Sequence, residues 1–171
     1  MMMRSEATKP KRCLIADDVR SFRKTVESWL RECDFECVLA VNGEHAWEII
    51  EDDPPDLIIT DIEMPSACGL SLLRRTREAA EERIRTLPVL VMTSLRDTTT
   101  LDVVLQLGGD GLLHKPLDKQ LLLSAVLDVV SDRRDFRPGK KNPDSMTGKG
   151  PGEISPTLRR LLRLVAKNER H

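Results

Sequence analysis

Five short apolar runs, each closed by polar or charged residues and each followed by a stretch of helical periodicity, constrain this chain more than any other feature. Residues 13–16 end in Asp17 and Asp18, residues 57–60 in Asp61, residues 89–92 in Thr93 and Ser94, and residues 111–114 in Lys115 and Pro116; residues 37–40 form the fifth run. Runs of four apolar residues without polar alternation read as strands buried on both faces. Between them, apolar residues recur at helical spacing. Phe22, Val26, Trp29, Leu30 and Cys33 mark the first helix, and Ala46, Ile49 and Ile50 a second that stops before Pro54 and Pro55. Leu70, Leu73, Thr76 and Ala80 mark a third, Leu101, Val104, Leu105 and Gly108 a fourth, and Leu122, Val126, Leu127 and Val130 a fifth. Strand–helix alternation predicts right-handed crossovers and a parallel sheet covered on both faces, an α/β doubly wound (βα)5 architecture.

The pattern stops at residue 131. The following stretch, rich in Gly, Pro and Lys, holds no periodicity and reads as a linker over 132–154. Ser155 and Pro156 then offer a helix start, with Leu158, Leu161, Leu162 and Val165 on one face of a short basic helix over 155–171. The predicted organisation is an N-terminal arm (1–10), a main domain (11–131), the linker and that helix. This helix suits docking onto a protein groove, its own domain's included, better than a membrane surface or nucleic acid.

Charge divides along the same line. Residues 1–131 carry 16 Lys and Arg against 23 Asp and Glu, whereas residues 132–171 carry 11 against 5. An acidic body is a poor nucleic-acid binder, and with three Phe, two Trp and no Tyr the chain as a whole has little to stack on bases. DNA binding is disfavoured as the output. Cys13, Cys33, Cys37 and Cys68 are too scattered for a disulfide framework, and no window approaches a membrane span, so a cytoplasmic location is expected. His45, His114 and His171 lack metal-ligand spacing and are expected in loops or on the surface, and Trp29 and Trp47 in packing roles.

In doubly wound sheets, ligands sit outside the carboxyl ends of the strands. Here that rule gathers Asp17, Asp18, Asp61, Thr93 and Lys115. Three crowded carboxylates need a counter-charge, and an all-oxygen donor set without His or Cys suits Mg²⁺. Metal, ammonium and hydroxyl together match phosphoryl transfer, with Asp61 as nucleophile forming an aspartyl phosphate. Singly, each residue has a plainer reading as a turn, a helix cap or a strand end.

Segments 14–18, 56–65 with Gly69, 88–94 and 111–117 resemble, in order, those of the receiver domains of two-component response regulators, the CheY-like family. The resemblance implies the flavodoxin-like strand order 2-1-3-4-5. It also implies that Asp61 accepts a phosphoryl group from a phosphohistidine on a histidine kinase or histidine phosphotransfer protein, in a Mg²⁺-dependent reaction, and that the chain signals by altered binding to a downstream effector protein. Asp18, Asp61 and the Glu63 backbone carbonyl would hold the metal, with Asp17 acting through a water. Lys115 would pair with Asp61 before transfer and with a phosphoryl oxygen after it, Thr93 would donate its hydroxyl to another, and the Lys115–Pro116 peptide would be cis. Such a chain, a monomer or a phosphorylation-dependent dimer, turns over no separate substrate and is not a conventional enzyme.

Departures accompany the match. The family usually carries an aromatic residue three positions before its lysine, where this chain has Leu112, so its Thr-to-aromatic switch does not carry over. Glu63 and Leu95 stand at positions that tune phosphoryl lifetime. A degenerate receiver serving as a constitutive interaction module, and a phosphatase with an aspartyl nucleophile and Glu63 as general acid, are the alternatives.

Overall fold

The computed structural model describes residues 9–131 together with 160, 162, 163 and 165. Nearly all of the expected arm, the linker over 132–154 and most of the helix over 155–171, with His171, lie outside the described residues. The strands are β1 (Arg12–Ala16), β2 (Glu36–Ala40), β3 (Leu57–Asp61), β4 (Val89–Thr93) and β5 (Gly111–His114). They form one sheet in the order β2-β1-β3-β4-β5 with every pairing parallel, as expected.

The helices are α1 (Arg20–Arg31), α2 (Gly43–Asp52), α3 (Gly69–Arg77), α4 (Glu82–Arg85), α5 (Thr100–Gln106) and α6 (Lys119–Ser131). α2 and α6 start where a side chain supplies an acceptor for a free N–H group. Asn42 Oδ1 accepts from His45 N at 2.8 Å, and Asp118 Oδ1 from Leu121 N at 3.0 Å. Alternate strand residues feed two cores. Leu14, Ile58 and Val91 face α2, α3 and α5, while Cys13, Ile59 and Met92 face α1 and α6.

Periodicity placed the helices but overextended some of their faces. Cys33, Ala80 and Gly108 lie beyond the ends of α1, α3 and α5, and the single turn α4 was not anticipated. Leu105 and Leu127 were assigned to buried stripes, yet they are 49% and 52% exposed. Each follows a fully buried neighbour, Val104 or Val126, and one residue further round a helix is a turn of about 100°. Cys13 and Cys37 are register partners across β1 and β2, and all four cysteines are free. No helix among the described residues is long and apolar enough to cross a membrane.

Acidic residues at the amino edge of the sheet are consumed by structure. Asp56 Oδ2 accepts from Arg12 N at 2.8 Å, and Asp110 Oδ2 accepts from Val89 N at 2.8 Å and Arg77 Nη2 at 3.0 Å. The Arg77 guanidinium also donates to the carbonyls of Gly108 and Leu87 at 2.8 and 2.6 Å, joining three segments. Truncating one member of a largely buried pair strands the other, so Arg77→Ala should lower unfolding free energy by about 2 kcal/mol. Urea melts will check this.

Candidate functional site

The carboxyl edge is arranged differently. Strand order reverses between β1 and β3, because β1 leads outward to β2 whereas β3 begins the run toward β5. Asp17 and Asp18 follow β1 directly, Asp61 ends β3, Thr93 ends β4 and Lys115 follows β5. The fold therefore brings all five predicted side-chain residues to the carboxyl edge of the sheet. One carboxylate oxygen from each of Asp17, Asp18 and Asp61 lies within 4.8 Å of the others. Asp17 and Asp61 are buried and Asp18 is exposed, so the cluster opens to solvent on one side.

Hydrogen bonding gives the three acids different roles. Asp17 Oδ1 accepts from Val19 N at 2.8 Å and its Oδ2 from Lys115 Nζ at 2.7 Å, so both of its oxygens are engaged. Lys115 Nζ stands 3.3 Å from Asp61 Oδ2. Burial pushes the Asp61 carboxyl up to about 6; the Lys115 ammonium opposes that rise, and the charges of Asp17 and Asp18 add to it. For Lys115, burial favours the neutral amine, but the hydrogen bond to Asp17 and the nearby carboxylates overcome it and raise its pKa. The ammonium thus stays charged between two acids.

Thr93 is fully buried, and its Oγ1 accepts from Leu95 N at 2.9 Å, which ties the hydroxyl to the loop it begins. Its own proton is left to donate. Glu63 is exposed in the loop between β3 and α3. Leu112 packs partly buried against the core beneath α3 and α5. The Lys115–Pro116 peptide is cis.

Two contacts were not foreseen. The Phe22 ring, read from sequence only as part of a core-facing stripe, has the Lys115 ammonium 4.1 Å from its centroid. Arg23, 9% exposed, donates from Nη1 to the Asp17 carbonyl at 2.6 Å. Both lie in the first turn of α1, which starts only two residues after the acidic pair. That spacing was the available signal for a helix start at the edge of the crevice.

A family model described as the response regulator receiver domain matches residues 13–127. The chain belongs to this family. It is 34% identical over 119 residues to response regulator Rre1 of Synechocystis, covering 69% of this chain and 51% of that protein. To the Regulator of RpoS of Escherichia coli K12 it is 35% identical over 107 residues, covering 63% of this chain and 31% of that one. The chain thus spans about half or less of the length of these curated relatives. Among solved structures, a putative response regulator from Chloroflexus aurantiacus superposes with a TM-score of 0.68 at 30% identity, covering 72% of this chain and 99% of that one. The chemotaxis response regulator CheY4 of Vibrio cholerae superposes at 0.65 with 25% identity, covering 71% and 99%.

The donor set of this crevice fits a hard divalent cation. All three side chains offer oxygen, neither His nor Cys joins the cluster, and three carboxylates call for positive charge beyond Lys115. With both Asp17 oxygens already accepting, Asp18 and the Asp61 oxygen turned away from Lys115 are the side-chain donors better placed for direct coordination.

Proposed function

We propose that this chain is a phosphoacceptor receiver in which Asp61 takes a phosphoryl group from a phosphohistidine and passes the signal on as altered protein binding. The observation that carries the reading is Lys115, whose ammonium lies 2.7 Å from Asp17 and 3.3 Å from Asp61 at the mouth of a three-carboxylate cluster. An Asp61 oxygen attacks phosphorus, forming the acyl phosphate bond as the P–N bond to the donor imidazole breaks; the imidazole keeps the electron pair and takes up a proton. Lys115 faces the charge developing on one phosphoryl oxygen, and the Thr93 hydroxyl donates to another. Asp18, Asp61 and the Glu63 carbonyl would hold Mg²⁺, with Asp17 close by, and the ion would supply charge neutralisation.

The donor is a histidine kinase or a histidine phosphotransfer protein, and the recipient of the signal is another protein. No separate substrate is turned over. Incubation with acetyl phosphate and Mg²⁺ should add one acid-stable, base-labile phosphoryl group by intact mass, and chelating the Mg²⁺ should prevent it. A folded chain that stays unlabelled under these conditions is a constitutive interaction module instead. Steady release of phosphate from simple phosphate esters would favour the phosphatase alternative.

Thr93→Val keeps the β-branched shape within β4 while deleting one donor, together with the acceptor for Leu95 N. One lost hydrogen bond to developing charge corresponds to about 1.4 kcal/mol, so labelling should slow roughly tenfold. Time courses of intact mass will measure this, and an unchanged rate would remove Thr93 from the reaction.

A further inference from the structure

Val165 is 5% exposed although it lies far in sequence from the domain it packs on. It is buried with Trp47 of α2 and Leu72 of α3 in one apolar cluster, and Leu162 packs against the same cluster. Ala67, Ala79 and Val165 line the groove between these helices, and Arg74 Nη1 donates to the Val165 carbonyl at 3.4 Å. Residues 160, 162, 163 and 165 are helical. Leu162 and Val165, three apart, share the inward side, while Arg160 and Arg163 are exposed.

Placement rules out a trivial continuation of the preceding helix. α6 packs with α1 against the opposite face of the sheet, and residues 132–159 separate it from the docked segment. That length of chain reaches up to about 95 Å when extended, ample to pass round one domain. Charge favours the arrangement as well, because residues 132–171 are net +6 and residues 1–131 net −7. A tether of this kind holds its segment at an effective concentration on the order of 1 mM, enough to keep a modest two-anchor contact closed yet reversible.

We propose that the α2–α3 groove is a helix-docking site whose resident occupant is the chain's own C-terminal segment, seated in cis through Leu162 and Val165 and masking the groove from helices arriving from elsewhere. This inference is independent of the chemistry at Asp61. The test uses the full chain carrying Leu162→Asp with Val165→Asp, substitutions outside the region that matches the receiver family. A fluorescent peptide of residues 155–171 should bind this variant at least tenfold more tightly than it binds the wild-type chain, whose groove is already filled. In a Trp29→Phe background, emission then reports Trp47 alone; it should shift to the red in the double variant and return when peptide is added. Equal affinity for both chains, or binding to neither, would overturn the proposal, as would Trp47 emission indifferent to the substitutions. A wild-type chain that dimerises over the concentration range in which Trp47 emission changes would place a second copy's segment in the groove and overturn the cis assignment.

Discussion

Asp61→Asn should abolish phosphoryl labelling and, in the same protein, raise its stability in metal-free buffer at pH 8. The first effect follows from chemistry, since an amide oxygen neither attacks phosphorus usefully nor leaves a labile acyl phosphate. The second follows from electrostatics. Asp61 is 5% exposed and lies beside two other acids, and its carboxyl is raised from 3.8 to about 6. A carboxyl that holds its proton more tightly in the folded chain contributes stability that is fully present below pH 4 and is lost as pH rises through about 6. Above that pH the ionised form costs up to ~3 kcal/mol, a net cost in which the attraction of Lys115 is already included.

Asparagine keeps the volume and removes the charge. The metal-free variant should therefore gain about 1–3 kcal/mol at pH 8, or roughly 4–10 °C in Tm, and gain little at pH 4. Calorimetry at the two pH values checks the sign. Mg²⁺ should invert the ranking, because a cation that binds the folded state stabilises by mass action and the variant has lost one direct ligand. A variant less stable than wild type at pH 8 without metal would mean that the Lys115–Asp61 pair outweighs the repulsion among the acids, contrary to the balance argued here.

The parts of this site that could be read from sequence are those fixed by strand ends. Asp17, Asp18, Asp61, Thr93 and Lys115 each sit at or just past the close of an apolar run, and parallel topology alone brings such positions to one edge. The partners within the site are less legible. Lys115 is closer to Asp17 than to Asp61, a contact spanning 98 residues that depends on rotamers and on the turn after β5. Phe22 carries an apolar signal that fits the core equally well, so composition cannot show that its ring faces an ammonium. The same holds for Trp47 and Val165, whose apolar character predicts burial without saying against what. Leu105 and Leu127 went astray because a spacing of three or four residues admits two adjacent positions to a stripe, and only the width of the neighbouring sheet decides how many are covered. Leu112 was read as the loss of an aromatic lever, and its place against the core under α3 and α5 is that of a packing residue.

The second large effect concerns a residue with no side chain. Gly69 opens α3 immediately behind Asp61, and its N–H donates to the Ile62 carbonyl at 2.9 Å. Its backbone is one that any residue adopts, and by helix propensity alone Gly69→Ala should stabilise by at most about 1 kcal/mol. Sterics oppose this more strongly. A Cβ at position 69 would stand 2.0 Å from the Asp61 carbonyl oxygen, 2.9 Å from its carbonyl carbon and 3.1 Å from Thr60 Oγ1. None of these atoms can yield cheaply, because β3 is buried along its whole length and Thr60 Oγ1 already donates to the Asp61 carbonyl at 3.0 Å. Either α3 moves away from the sheet or the end of β3 shifts, and overpacking against backbone costs about 3 kcal/mol or more. The net expectation is a loss of at least ~2 kcal/mol, seen as a lower urea midpoint with unchanged slope, accompanied by slower labelling because the displaced backbone is that of the acceptor. Gly111→Ala supplies the contrast. There the new Cβ meets only Leu90 Cδ2, at 3.0 Å, the tip of a side chain that can rotate, so stability should change by less than about 1 kcal/mol with labelling intact. If Gly69→Ala instead stabilised the protein as propensity alone dictates, the close approach of α3 to the acceptor strand would be wrong, and with it the geometry that holds Asp61 at the mouth of the crevice.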